Sequence, residues 1–463
     1  MCVRKGLSVP PLLLLINPCI YDFAAYDLWS RPLGLLFLAG SLRRAGFRVR
    51  LIDCLAGRPS GMKDRPTLSQ PVRRMNGTGK FRRERASRPD SLKGIPRTYS
   101  RYGISRQLLR KELERAGRPC AVLVTSHMTY WYPGVLEAIR MVREAFPGTP
   151  VILGGIYARL CTEHALRYAG ADYVVTGSGP EAVNAVRSIL RSRGVEPGAG
   201  EGPPETHPYP AFDLLPALDA VALLTSWGCP HKCPYCASRF LSPRPGRRDP
   251  GDVLEEVLFW RHRYGVKDFA FYDDALLAEA DSHVCILLER LVRENLGVSF
   301  HTPNALHVRG ITPEIARLLF LAGFRTLRLG LETSDMELHR KMGGKVAEGE
   351  FEWAVGNLMR VGYTQREIGA YVLMGLPGHS PDSVRASVEF VGRTGATPYL
   401  AEYSPIPHTP LWEAAVARSG YDLVSEPLYH NNTLLPCWDQ DERSRVPELK
   451  ELARRFRQGR LQD

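Results

Sequence analysis

The chain opens without an apolar run long enough to cross a bilayer. Residues 9–16 are the longest such stretch near the N-terminus and contain Pro10 and Pro11, whereas a span needs about 20 residues. No small-residue cleavage site follows the basic Arg4 and Lys5, so no signal peptide is read and a cytoplasmic location is expected. Short-range cysteine pairing is also scarce: Cys2, Cys19, Cys54, Cys120, Cys161, Cys285 and Cys437 are scattered, which excludes a disulfide framework and fits a reducing compartment. No repeat of short period appears. Acidic residues are in deficit, 49 against 61 Lys+Arg for a net charge of +12, but much of the excess falls in residues 58–118. That stretch includes Arg73, Arg74, Arg82, Arg83, Arg85 and Arg88 with few aliphatic residues, so it reads as a solvated basic insertion at 57–118, and nucleic acid is not the expected partner. With 44% hydrophobic and 24% charged residues the chain is not a disordered one. Its length exceeds what one core usually fills, so two domains are expected.

What the sequence does have is a cysteine triplet. Cys229, Cys233 and Cys236 are spaced C-x3-C-x2-C, and with this cysteine content a given triplet of that kind arises by chance roughly once in two hundred such chains. Thiolates this close on one loop can serve one soft metal centre. A zinc ion normally takes four protein ligands, and no second Cys or His pair lies nearby at the usual spacing. Three thiolates therefore point to an iron-sulfur cluster with one iron left open, against the alternatives of a structural zinc or a purely redox cluster.

The hydrophobic pattern alternates strand and helix along both halves. Strands are expected at residues 12–16, 48–53, 120–125, 150–153 and 171–176, with helices at 34–45 and 135–145, which implies a doubly wound parallel sheet. Residues 195–214 are rich in Gly and Pro and mark a linker. Beyond it, strands are expected at 222–225, 268–272, 298–301, 326–330, 368–374 and 399–403. Six parallel strands with a helix between successive ones make a partial barrel, with chemistry at the strand ends.

The segment Cys229-Pro230-His231-Lys232-Cys233-Pro234-Tyr235-Cys236 resembles the signature of the radical S-adenosylmethionine (SAM) enzymes, including the aromatic Tyr235 before the third cysteine. The resemblance implies a [4Fe-4S] cluster on Cys229, Cys233 and Cys236, with SAM on the fourth iron cleaved to methionine and a 5′-deoxyadenosyl radical. It also implies a low-potential electron donor such as flavodoxin or ferredoxin. By the same resemblance Tyr235, Asp273, Asp274, Glu332, Gly375, Pro377 and Ser404 line the SAM site. For Asp273 and Asp274 a helix cap is the competing reading; for Glu332 it is a salt bridge with Arg328. His408, where relatives usually carry glycine, reads as part of a surface turn.

The N-terminal half is similar to the cobalamin-binding domain found upstream of many radical SAM cores, through Pro32-Leu33-Gly34-Leu35, Gly46-Phe47-Arg48-Val49 and Val151-Ile152-Leu153-Gly154-Gly155. This implies cobalamin at Ser126, Gly154, Gly155 and Gly177. A D-x-H-x-x-G stretch, through which some cobalamin proteins supply a histidine to cobalt, is missing. The expected organisation is a cobalamin-binding-like Rossmann domain at 1–194, the linker at 195–214, a partial (β/α)6 radical SAM barrel at 215–412 and an extension at 413–463. The expected function is cobalamin-linked C-methylation of an unidentified substrate. The alternatives are a cobalamin-free ring-forming or rearranging radical SAM enzyme, and a non-catalytic iron-sulfur protein acting on nucleic acid or in regulation.

Overall fold

The computed structural model describes residues 9–56, 74, 76–197 and 207–459. The chain divides into two compact units between Leu218 and Asp219.

In the first unit, β1 (Leu12–Asn17), β2 (Ile20–Asp22), α1 (Leu33–Arg44) and β3 (Arg48–Asp53) come before the basic segment. After its opening residues follow β4 (Arg83–Arg85), β5 (Ser100–Tyr102), α2 (Arg106–Arg115), β6 (Ala121–Val124), α3 (Tyr132–Ala145), β7 (Val151–Leu153), β8 (Tyr173–Val174) and α4 (Gly179–Ser192). Five strands form a parallel sheet in the order β8-β7-β6-β1-β3. The apolar run in β1 is continuous because both of its faces are covered. Leu14 and Ile16 pack with Leu109, Val122 and Val142 on one side, whereas Leu13 and Leu15 pack with Leu35, Ala39 and Leu42 on the other. Alternate side chains thus feed two cores.

The strand order reverses between β1 and β6, and the crevice at such a reversal, outside the strand C-termini, is where open α/β sheets take ligands. Its walls are Asn17 at the end of β1 and Ser126-His127 after β6.

The described part of the basic segment is not a solvated loop. Its strands β4 and β5 join β2 in an antiparallel sheet, and α2 is capped by Ser105, whose hydroxyl accepts from the Leu108 N–H. Arg101 is 1% exposed and donates from Nε to Glu137 Oε1 at 2.7 Å, while Tyr21 and Arg106 donate to Glu137 Oε2 at 2.6 Å each. A guanidinium tolerates burial only when paired in this way. Arginine count alone could not separate this inward-facing residue from its solvated neighbours. Residues 57–73 and 75 lie outside the described residues, as do 198–206 of the expected linker. The last residues of that linker pack on the first unit, where Ala211 is fully buried in the α1 core and Arg43 binds Asp213 at 2.7 Å.

The second unit contains β9 (Ala220–Leu223), α5 (Pro250–Tyr264), β10 (Asp268–Phe271), α6 (Val284–Glu294), β11 (Ser299–His301), α7 (Pro313–Ala322), β12 (Phe324–Glu332), α8 (Glu350–Arg360), β13 (Ile368–Met374), α9 (Pro381–Arg393), β14 (Thr397–Glu402) and α10 (Val446–Arg457). Its six strands pair in chain order, all parallel. Phe271, Phe300 and Phe324, from three adjacent strands, pack with ring centroids 5.2–5.7 Å apart. No helix among the described residues is long and apolar enough to cross a membrane.

Removing one member of a buried charge pair costs about 3–5 kcal/mol, so Glu137→Ala is expected to lower the unfolding free energy of the full chain by that amount in urea titration. Burial pushes the Glu137 carboxyl up, but the bonds from Arg101 and Tyr21 and the two arginine charges hold it below its ordinary value. A depressed carboxyl stabilises above its unfolded pKa of about 4.3 and loses that contribution as pH falls through the folded value. Glu137→Gln should therefore show a flatter stability profile below that pH than the parent.

Candidate functional site at the strand ends

The cysteine loop leaves β9 and is anchored at three places. The first anchor is Asp273, just past β10, which is 3% exposed. It accepts from the Thr225 hydroxyl at 2.6 Å and N–H at 3.1 Å, and from the Ser226 hydroxyl at 2.6 Å and N–H at 2.5 Å. Burial pushes this carboxyl up despite those bonds. The second is a two-residue antiparallel pairing of Ser226 and Trp227 with Arg247 and Gly246; a Cβ on Gly246 would lie 2.3 Å from the Trp227 ring, so only glycine fits under the indole. The third is the Leu411 N–H, which donates to Pro234 O at 2.9 Å.

Asp273 is accordingly not a helix cap. Asp274 is exposed at the mouth of the loop, with the Ser238 hydroxyl and the Gly228 N–H as partners.

Cys229, Cys233 and Cys236 are all free and half-buried on this loop. Burial pushes the Cys229 thiol up, as do the neighbouring Cys233 and Cys236; Cys233 is likewise pushed up by burial, against the pull of the Lys345 ammonium. No group of three or more His, Cys, Asp or Glu side chains among the described residues stands ready to hold a single metal ion. That is compatible with a cubane, whose thiolates each take a different iron and so do not meet at one point. Three soft sulfur donors, and none of the closed tetrahedral geometry of a zinc site, fit an iron-sulfur cluster.

Glu332 ends β12 in an unusual backbone state. Its φ is +69°, and the register with β13 slips between Gly330 and Glu332. A bulge re-aims the side chain that follows it, at a strain of about 1–3 kcal/mol for a non-glycine residue in this region. The carboxylate meets Lys345 at 2.5 Å with both side chains mostly buried; a Cβ on Gly330 would sit 3.2 Å from both charged ends. The competing reading, a salt bridge with Arg328, is not met: that guanidinium lies 4.3 Å over the Tyr399 ring. Lys345 has no motif around it in the sequence, and the fold brings it onto the Glu332 carboxylate at the slip.

Other expected residues are distributed as follows. Tyr235 lies with its ring 5.9 Å from Lys345 Nζ. Gly375 has φ +91°, and the side where its Cβ would be is filled by Leu435 at 2.5 Å. Pro377 is half-buried in the turn after β13, and Ser404 donates to His430 O at 2.5 Å. His408 is exposed, with φ +67° and its ring 4.2 Å from that of Phe240. Outside that set, Asn304, past β11, donates to Tyr272 O at 2.9 Å and Asp273 O at 3.3 Å, and Tyr371 donates to Pro303 O at 2.9 Å. The stack of His231 on His307, 4.1 Å between centroids, escaped sequence reasoning; burial, with the charges of His231, Lys345 and Arg309, lowers His307 to about 3.

In the first unit, Ser126 donates to Gly154 O at 2.7 Å, and Gly155 has φ +93° with its Cβ position 2.2 Å from Ser126 O. The ends of β6 and β7 are thus in backbone contact. Gly177 abuts Ala182 and Glu181 at the start of α4. Ser126 is buried and the three glycines are half-buried; together they present backbone and small atoms, a surface suited to a broad planar ligand. Beside them the Asn17 amide donates to Asp53 at 2.7 Å and its carbonyl oxygen faces His127 Nε2 at 3.3 Å. Burial lowers His127 to about 4.

Comparison with known proteins agrees with this division. The radical SAM superfamily matches residues 223–391 and the B12 binding domain residues 105–187. An uncharacterized methyltransferase of Pyrococcus horikoshii is 26% identical over 58% of this chain, a match spanning 63% of that relative. Cytidylyl-2-hydroxyethylphosphonate methyltransferase of Streptomyces wedmorensis is 22% identical over 96% of this chain and 88% of its own length. Among solved structures, the radical SAM methyltransferase TsrM from Kitasatospora setae superimposes with a TM-score of 0.64 at 18% identity, covering 95% of this chain and 88% of its own. The cobalamin-dependent radical enzyme OxsB gives 0.54 at 14%, covering 97% and 56%. The chain thus carries a B12-binding domain followed by a domain of the radical SAM superfamily.

Proposed function

We propose that the protein is a cobalamin-dependent radical SAM methyltransferase whose substrate carbon is unidentified. The observation that carries the reading is the anchored loop with three half-buried thiols at the barrel's strand ends, in a chain that also holds a B12-binding domain. Relatives named as methyltransferases support it. When bound, the cluster supplies the electron that opens a carbon–sulfur bond of SAM, and cobalamin carries the methyl group.

Cys229, Cys233 and Cys236 would hold the cluster, and Asp273 would fix the direction in which their loop leaves β9. Glu332 can accept two hydrogen bonds from a ribose diol or an amino group. Tyr235, Asp274, Gly375, Pro377 and Ser404 would complete the SAM pocket. Ser126, Gly154, Gly155 and Gly177 would lie along the corrin. A low-potential donor such as flavodoxin or ferredoxin would supply the electron, in a reducing, cytoplasmic setting.

Replacing Cys229, Cys233 or Cys236 by Ala should remove both the cluster and SAM cleavage. A triple variant that still bound four irons per chain after anaerobic reconstitution would overturn the assignment.

Reconstitution with hydroxocobalamin should give one corrin per chain by visible absorption. The cob(II)alamin resonance should lack splitting from a protein histidine, since His127 Nε2 is engaged by Asn17. An intact cluster without corrin retention would favour the cobalamin-free alternative.

Glu332→Ala should weaken SAM binding by about 1.5–3 kcal/mol, roughly ten- to a hundredfold, with iron content unchanged. Equal affinity in titration calorimetry would leave Glu332 as a partner of Lys345 alone.

A further inference from the structure

Among the described residues the Lys345–Glu332 pair is a mostly buried ion pair beside the cysteine loop. Nζ of Lys345 lies 5.9 Å from the ring of Tyr235, between the second and third cysteines. Gly343, two residues earlier, rests on the Cys233 backbone, its Cβ position 3.5 Å from Cys233 Cα. The segment that carries the lysine is therefore laid against the loop itself. Both groups are shielded from solvent, with side-chain exposures of 14% and 9%, and charge–charge effects persist where water does not screen them.

We propose that Lys345 and Glu332 are positioning residues that set the reduction potential of the cluster, the ammonium raising it and the carboxylate holding that effect in check. The inference rests on the reading of Cys229, Cys233 and Cys236 as cluster ligands. Adding one electron makes the cluster more negative by one charge, and a nearby cation stabilises the reduced form; potentials of such clusters follow net charge, hydrogen bonds and exposure. The strained φ of Glu332 and the glycine at 330 act to seat the carboxylate on the lysine. The lysine end of the pair lies by the Tyr235 ring, on the stretch of loop between the second and third cysteines.

The test is a redox titration, followed by electron paramagnetic resonance, of the full-length reconstituted protein without SAM. Lys345→Met keeps the length of the side chain and loses its charge; the equilibrium constant for reduction should fall about tenfold, which is 59 mV for one electron. Lys345→Arg keeps the charge and should restore the parent potential. Glu332→Gln leaves the ammonium uncompensated and should move the potential the other way. Should Lys345→Met fail to load iron, the upward shift of Glu332→Gln decides alone. Parent potentials in every iron-loaded variant would overturn the inference while leaving the cluster assignment intact. A parent protein that takes up no cluster would overturn both.

Discussion

The candidate site depends first on one buried carboxylate. Asp273 gathers the Thr225 and Ser226 N–H groups and hydroxyls at the end of β9, and its own backbone is held by Asn304 from beyond β11. Three neighbouring strand ends are thereby tied at one point. Burying a carboxylate costs several kcal/mol, and burial pushes the Asp273 carboxyl up while the Ser226 and Thr225 donors pull it down. What the burial achieves is geometric: the chain must leave β9 in the one direction that satisfies all four donors, and Cys229 follows three residues after Ser226.

The far side of the loop is governed by a different device. There the slip between Gly330 and Glu332 turns a strand-end carboxylate onto Lys345, and the missing Cβ at Gly330 leaves room for the pair. Backbone strain, a glycine and a mostly buried charge pair coincide at one strand end. Strain of this kind persists where the surroundings over-determine it, and Lys345 on one side with β13 on the other does so. The two devices differ in character, one fixing the path of the backbone and the other placing charge beside it.

The first unit works with less polar material. Its sheet is built from apolar strands covered on both faces, and at the reversal of strand order the ends of β6 and β7 touch through Ser126 and Gly155. Beside that contact runs the hydrogen-bonded Asp53–Asn17–His127 chain. The residues flanking the crevice are thus fixed by bonds to one another, and backbone and small side chains remain to face a ligand.

Periodicity and punctuation made much of this architecture readable. The run at residues 12–16, the rhythm of strand and helix, and the six later strands are local patterns whose faces must be buried, so the sequence by itself determined both sheets and the loop that carries the cysteines. It could not determine which charges face inward. Arg101 looks like any arginine of a basic stretch until Glu137, Tyr21 and Arg106 surround it, and from the sequence Arg328 was the one ion-pair partner in view for Glu332. Partner choice among distant side chains depends on strand register and on where a bulge falls. A one-residue slip redirects the side chain that follows, and only the tertiary structure decides where that slip occurs, because it is set by packing between strands far apart in the chain.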